Sequence, residues 1–359
     1  MGFSYVGWVW DAFLRGWRDP ASGLGSRTTG EDAVRRALGT EDVFARAYVV
    51  TGTTSGIGWE TVRALAGVGG AFVVCLDRSP LRQKAAMERV RREFPEARLV
   101  GVTCDLSDLA SVRSACVQVL RVTRDTGIHA VVNNAGVMGC PPSRSAQGHE
   151  LQFATNHLGH YLLNRLLAPR LLATCAPGSG VQARVVCVGS AMSQMNNVYE
   201  RGLAWNAMVE GADAEGYGYG FHAYCRSKLC VALHARRLNA ELKAGSGGGG
   251  DSDAVAVCVD PGSIRTELFR HSRLVHALSW VGTTMRVVKS PAQGAGTQCL
   301  LATMPEDALA QVPEGPGGFW RDCHALPASG QAPEAVDDAL ADMVWERSAD
   351  LCADFLDPL

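Results

Sequence analysis

The chain has 359 residues, 47% hydrophobic and 19% charged, with a formal net charge of −2 at pH 7. That length suits one large α/β domain or two small ones, and the composition suits a globular protein with a sizeable core. The near-neutral balance excludes nucleic acid and polyanionic surfaces as expected partners.

Residues 1–46 read as an N-terminal extension. Phe3, Val6, Trp10, Phe13, Leu14 and Trp17 share one helical face, while Asp11, Arg15 and Arg18 fall elsewhere. Such a face over residues 3–17 suits peripheral contact with a membrane interface, or packing on the protein's own surface. Gly2, Gly7 and Gly16 weaken a free-standing helix there. A basic n-region and a small-residue cleavage site are both missing, so a signal peptide is not expected. No run is long and apolar enough to span a bilayer. Residues 22–30, rich in Gly, Ser and Thr, read as a linker, and a short helical pattern follows over 31–44.

From residue 47 the chain alternates between two patterns. Short Val-rich runs at 48–50, 72–76, 99–102, 130–132, 185–188 and 255–259 suit strands covered on both faces. Helical stretches lie between them, for example 81–94 and 107–124. This rhythm predicts a parallel sheet wound on both sides, over one domain at 47–353 with a short tail at 354–359. A polar insertion at 193–220 and the loop GSGGGGDSD at 245–253 interrupt it without marking a domain boundary. Residues 269–288 mix apolar and basic side chains and suit a lid over a pocket. The twelve cysteines are scattered, several inside apolar strands, and no Cys-x-x-Cys pair exists. They read as buried free thiols in a reducing intracellular compartment, either cytoplasmic or on a membrane surface.

The segment VVTGTTSGIG at 49–58 joins the first strand to a helix. Gly52 permits the tight turn, Gly56 admits a pyrophosphate to the backbone, and Gly58 lets helix and strand pack closely. Thr54, Ser55 and Ile57 complete this dinucleotide loop. Asp77 ends the second strand, where a carboxylate would meet the adenosine ribose and favour NAD. Arg78 follows at once, and a guanidinium there would hold the 2′-phosphate of NADP. The balance is read in favour of NAD.

Further along come NNAG at 133–136, NHLGHYLL from Asn156, VGS ending at Ser190, AYCRSKL with Tyr224 and Lys228, and DPG at 260–262 with Thr266 beyond. In this order, over about residues 47–325, these motifs resemble the short-chain dehydrogenase/reductase family. KSPAQGA, FWRDC and MVWERSADL extend the likeness towards the retinol dehydrogenase and WW-domain oxidoreductase group. The resemblance implies an α/β, single-domain Rossmann-type doubly wound sheet of about seven parallel strands, with helices on both faces. It also implies a catalytic set of Asn156, Ser190, Tyr224 and Lys228.

The chemistry can be argued from the residues. Lys228 lies one helical turn from Tyr224, so both project from one face. A lysine cation, with a positive nicotinamide nearby, favours tyrosinate over its ordinary pKa near 10. Tyr224 then exchanges the proton with the substrate oxygen, and Ser190 stabilises charge there. By the resemblance, Lys228 also holds the nicotinamide ribose and Asn156 supports a water chain. Asp105 and Leu106 border the adenine, and Asn133, Ala135 and Gly136 floor the cofactor site. Pro261, Gly262, Ile264 and Thr266 border the nicotinamide. Asn133 has a second reading, as a side chain tying strands together.

His157, His160, His222 and His234 suggest metal, but packing in the NHLGH helix explains the first two, and no metal is expected. The expected function is interconversion of an alcohol and a carbonyl on a small apolar, lipid-like or aromatic substrate. Two alternatives stay open: a non-catalytic dinucleotide-binding scaffold or sensor, and a double-bond reductase like the protochlorophyllide reductases, which look similar at several motifs. Relatives of this kind form homo-oligomers, or attach to membranes through N-terminal extensions.

Overall fold

The computed structural model describes residues 22–38, 43–175, 181–195, 203, 205–209, 220–245, 254–264, 288–305, 309, 312 and 316–359. The aromatic face at 3–17, most of the insertion at 193–220, the loop at 246–253, Thr266 and nearly all of 269–288 lie outside them.

The strands are β1 (Ala47–Thr51), β2 (Phe72–Asp77), β3 (Leu99–Thr103), β4 (Ala130–Asn133), β5 (Arg184–Val188), β6 (Val255–Asp260), β7 (Phe319–Arg321) and β8 (His324–Leu326). They form one sheet in the order β3-β2-β1-β4-β5-β6-β7-β8. Seven strands run parallel, and β8 pairs antiparallel with β7. The eight strands exceed the expected seven because the chain folds back within FWRDC. Asp322 and Cys323 make that two-residue turn at φ 51° and 67°, the mirror-image conformation that matches strand twist.

Side chains alternate across the sheet and build two cores. Val49, Val74, Val131 and Val185 face α4 (Leu109–Val122), α5 (Gly159–Thr174), α7 (Phe221–Ala244) and α9 (Asp338–Leu351). Tyr48, Val50, Val73 and Val132 face α1 (Gly30–Ala37), α2 (Gly56–Val62), α3 (Pro80–Glu93) and α8 (Pro291–Thr303). The short α6 (Trp205–Val209) packs beside the first group. With both faces covered, continuous Val-rich strands are what the sheet requires.

Both ends depart from expectation. The described residues 22–38 and 43–46 pack against the sheet domain. In α1, Ala33 and Val34 are wholly buried. Gly30 approaches Cys299 and Ala295 so closely that a Cβ would meet them at 3.0 and 3.1 Å. The supposed linker is compact, with Thr28 Oγ1 accepting the Gly25 N–H at 2.9 Å. At the other end, Arg113 donates to the carbonyls of Phe355 and Asp357 at 3.0 and 2.6 Å, so the tail is tied down. All twelve cysteines are buried free thiols. Among the described residues no helix is long and apolar enough to cross a membrane.

Candidate active site

The strand order reverses between β1 and β4, which opens a crevice beyond the strands' carboxyl ends. A cleft of about 300 Å³ lies there. Its wall takes residues from the end of every central strand: Gly52, Asp77, Asp105, Gly136, Gly189 and Pro261. A second cavity, apolar and about 400 Å³, lies between α1, α8 and the β7–β8 hairpin, away from the glycine loop.

The glycine loop has the geometry its residues suggested. Gly52 and Gly56 take φ of 71° and 59°, where side chains are strained. A Cβ on Gly58 would collide with the Gly52 carbonyl and the Asn134 amide. Thr54, Ser55, Gly56, Ile57 and Gly58 all line the cleft, and their N–H groups open α2 towards it. A cradle that a Cβ would fill, at a helix N-terminus, fits a pyrophosphate.

Asp77 is placed differently from a free ribose reader. Its carboxylate accepts the Thr53 N–H at 2.6 Å and the Thr53 hydroxyl. Gln83 Nε2 donates to it at 3.4 Å. The side chain is 5% exposed, and burial raises its pKa against these hydrogen bonds. Asp77 therefore pins the glycine loop from below. Arg78 and Arg82, both exposed, line the same end of the cleft. Asp105 accepts the Ser107 N–H and hydroxyl at 3.0 and 2.6 Å, and Leu106 lies beside it on the wall.

One expected floor residue is not in the cleft lining. Asn133 alternates inward, where its Nδ2 donates to Asn164 Oδ1 at 3.0 Å and Cys187 Sγ at 3.5 Å. The strand-tying reading holds for it. Asn134 takes the place at the cleft, donating to the carbonyls of Thr51 and Gly52 at 2.9 and 3.2 Å. Sequence reasoning missed it, although the doubled Asn and strand alternation carried the signal. Ala135 and Gly136 line the cleft as expected, and so does Pro261. Gly262, at φ 84°, turns the chain, while Ile264 is buried and packs on Gly294.

The four candidate catalytic residues converge. The Ser190 side chain stands near enough to the Tyr224 phenol to favour its ionised form, and its hydroxyl oxygen accepts the Met192 N–H at 3.2 Å. Lys228 Nζ lies 5.8 Å from the Tyr224 ring centre and donates to the Val188 carbonyl at 2.7 Å. Both sit on α7, one turn apart. Asn156 lies in a π turn, Ala154–Leu158, that leads into α5. Oδ1 accepts the Val137 N–H at 2.8 Å, and Nδ2 donates to the Val137 carbonyl at 3.0 Å and Ser227 Oγ at 2.9 Å. Ser227 Oγ in turn donates to the Tyr224 carbonyl at 2.8 Å.

The expectation that Lys228 and a bound nicotinamide together draw Tyr224 towards tyrosinate concerns the loaded site; the protein's own groups act as follows. Burial is the largest influence and raises the phenol above its ordinary value, outweighing the influence of Ser190. Burial likewise lowers the Lys228 amine to about 8. With the protein groups alone, Tyr224 is a neutral acid. His157, His160 and His234 are core residues, with His157 bonded to Ser348 at 2.8 Å and His234 to Asn164 at 2.8 Å, while His222 is half-buried. No group of three or more metal-ligating side chains is assembled among the described residues.

A reversed parallel sheet, a glycine cradle and buried Tyr224 and Lys228 beside Ser190 define a dinucleotide-cleft protein of the α/β class. The model of the short chain dehydrogenases matches residues 46–201. Short-chain dehydrogenase TIC 32 A, chloroplastic, of Brassica napus is 34% identical over 330 residues, covering 92% of this chain and 94% of its own. Retinol dehydrogenase 12 of Homo sapiens is 33% identical over 309 residues, 85% of this chain and 86% of its own. Polyprenol dehydrogenase of Mus musculus is 36% identical over 270 residues, 73% and 72%. Among solved structures, an uncharacterized protein from Mycobacterium paratuberculosis superimposes with a TM-score of 0.62 at 26% identity, covering 86% of this chain and 93% of that one. NADPH-bound carbonyl reductase from chicken fatty liver shares the fold, with a TM-score of 0.54 at 18% identity, covering 78% and 98%. The chain belongs to the short-chain dehydrogenase/reductase family, and is an NAD(P)-dependent oxidoreductase.

Proposed function

We propose that this protein reduces the carbonyl group of a small apolar substrate with NADPH, Tyr224 serving as the proton donor. The observation that carries the reading is the buried phenol of Tyr224, beside Ser190 and one helical turn from Lys228, in the wall of the glycine-loop cleft. A bound nicotinamide dinucleotide supplies or accepts the hydride. Tyr224, held neutral by burial, gives its proton to the carbonyl oxygen, and takes it back from the alcohol in reverse. Ser190 shares that oxygen and stabilises its developing charge. Lys228 stands beside Tyr224 as the cation that steadies the phenolate left behind. Asn156 locks the segment at Val137 to α7 and so fixes the tyrosine's approach.

Two features support NADPH over the NAD that the sequence favoured. Asp77 spends its carboxylate on Thr53 and Gln83, and two exposed guanidinium groups, Arg78 and Arg82, stand where a 2′-phosphate would lie. Val137, Met138 and Leu151 give the cleft an apolar flank. The named relatives that act on retinol and polyprenol are in keeping with a long apolar substrate.

The test follows NADPH and NADH binding by energy transfer from tryptophan, then turnover of nonanal, benzaldehyde and all-trans-retinal. Tyr224→Phe is expected to lower turnover about 10²- to 10⁴-fold with NADPH binding intact. Arg78→Ala is expected to weaken NADPH about tenfold and leave NADH unchanged. Binding without turnover of any aldehyde would leave the scaffold reading standing, and full turnover in Tyr224→Phe would remove Tyr224 as the proton donor.

A further inference from the structure

We propose that His160 is a positioning residue that couples the glycine-loop end of the cleft to Asn156 at its catalytic end, through a hydrogen-bond chain of fixed direction. The proposal rests on the reading of the cleft given above. His160 is 3% exposed and stands at the start of α5, just past the π turn that carries Asn156. Its Nδ1 lies 3.0 Å from the Asn156 main-chain oxygen, and its Nε2 lies 2.9 Å from Thr51 Oγ1. A carbonyl only accepts, so Nδ1 carries the proton. Nε2 is then the acceptor, and the Thr51 hydroxyl donates to it. The same hydroxyl oxygen accepts the Ala135 N–H at 2.9 Å. The chain from Ala135 through Thr51 and His160 to Asn156 thus has one consistent proton arrangement. Burial keeps the imidazole neutral, holding its pKa down at about 4, which preserves the acceptor that Thr51 needs.

The two ends of this chain do different work. Thr51 is the last residue of β1, immediately before Gly52. Ala135 is the residue that Gly52 touches most closely, since a Cβ on Gly52 would stand 2.9 Å from its Cα. The Thr51–Ala135 end therefore sets the width of the cleft under the glycine loop. At the other end, the amide of Asn156 is spent on Val137 and Ser227. His160 fixes the peptide from which that amide projects. One rigid ring with a donor on one side and an acceptor on the other joins the two, and the nitrogens can be replaced separately.

The experiment uses the full-length protein, with NADPH dissociation constants and kcat on the best-turned-over of the three aldehydes. His160→Asn places an amide where Nδ1 stands, keeping the bond to Asn156 and losing Thr51. It is expected to weaken NADPH about tenfold, with kcat within about twofold. His160→Gln places an amide oxygen where Nε2 stands, keeping Thr51 and losing Asn156. It is expected to show the reverse split, with kcat down about tenfold and NADPH affinity nearly kept. Wild-type behaviour in both variants, or equal loss of both quantities in each, overturns the proposal. Should the variants at 160 fail to fold, Thr51→Val removes the hydroxyl alone. It is expected to copy the His160→Asn pattern, and unchanged NADPH affinity there overturns the coupling. Tyr224→Phe, run alongside, reports on the active-site reading independently. Its retention of activity would sink that reading whatever the 160 variants show.

Discussion

Position 189 shows how one atom of space decides a residue. The residue before Ser190 is glycine. A Cβ on Gly189 would stand 2.7 Å from Cys258 Sγ on the neighbouring strand, closer than packed atoms tolerate. The glycine and the cysteine are therefore a matched pair beneath Ser190 and Tyr224. Gly189→Ser is expected to cost about 1–3 kcal/mol of stability and to lower turnover by displacing Ser190. The double variant Gly189→Ser with Cys258→Ala is expected to recover most of that loss, because the clash is gone. Denaturant midpoints and kcat of the single and double variants check it. Strict additivity would show that the two positions do not touch. The same closeness accounts for Gly136, where a Cβ would stand 3.3 Å from Asn156 Oδ1 and 3.5 Å from Lys228 Nζ.

Among the elements, α1 and α8 changed the picture most. Their contact is a close backbone approach, with Gly296 facing the Thr28 carbonyl so tightly that a Cβ would collide with it. Thr29 caps α1 with a reciprocal bond to Asp32, and Ser290 caps α8 likewise through Gln293. Both helices thus begin at defined points. The pair covers the sheet face that carries Val50, Val132 and Val186. Gly296→Ala is expected to lower stability by about 1–3 kcal/mol, since backbone cannot give way as a flexible side chain would. A melt unchanged from wild type would mean that α1 is not seated there, and would restore residues 22–46 to the role of a detachable extension. The π turn before α5 is the second informative element. It has no signature in hydrophobic periodicity, yet it carries the Asn156 that bonds Val137 and Ser227.

For the whole molecule, buried imidazoles set the acid limit. Burial lowers His129 to about 4, His157 to about 3 and His160 to about 4, and holds His234 well below its ordinary value. The folded pKa values lie below the unfolded value near 6.5. Below that pH the unfolded chain binds protons that the folded chain refuses, so stability falls as pH falls. Asp77, raised by burial, works in the opposite sense, but only nearer the carboxylate range. The melting temperature is expected to drop by more than about 5 °C between pH 7 and pH 5, from roughly 1.4 kcal/mol per group per pH unit. Thermal melts across that window test it. A flat profile would mean that these rings take up protons without unfolding the protein.

The family resemblance picked out Asn156 and Ser190, whereas the sequence by itself determined six of the eight strands, the two-faced sheet, the glycine loop and the shared face of Tyr224 and Lys228. Each of the latter is written in local pattern. A strand buried on both sides must be continuously apolar, a phosphate turn must have glycine, and residues four apart on a helix must share a face. Tertiary structure alone decided which carboxylate was free and which was spent. It turned Asn133 inward and Asn134 to the cleft, put Asp77 under Thr53, and let burial raise the Tyr224 phenol against the influence of Ser190. It also made α1 part of the core, through a glycine-to-carbonyl contact between segments more than two hundred residues apart. Hydrogen-bond partners and desolvation depend on what the fold brings alongside a group, and neighbours distant in sequence leave no mark in the local pattern.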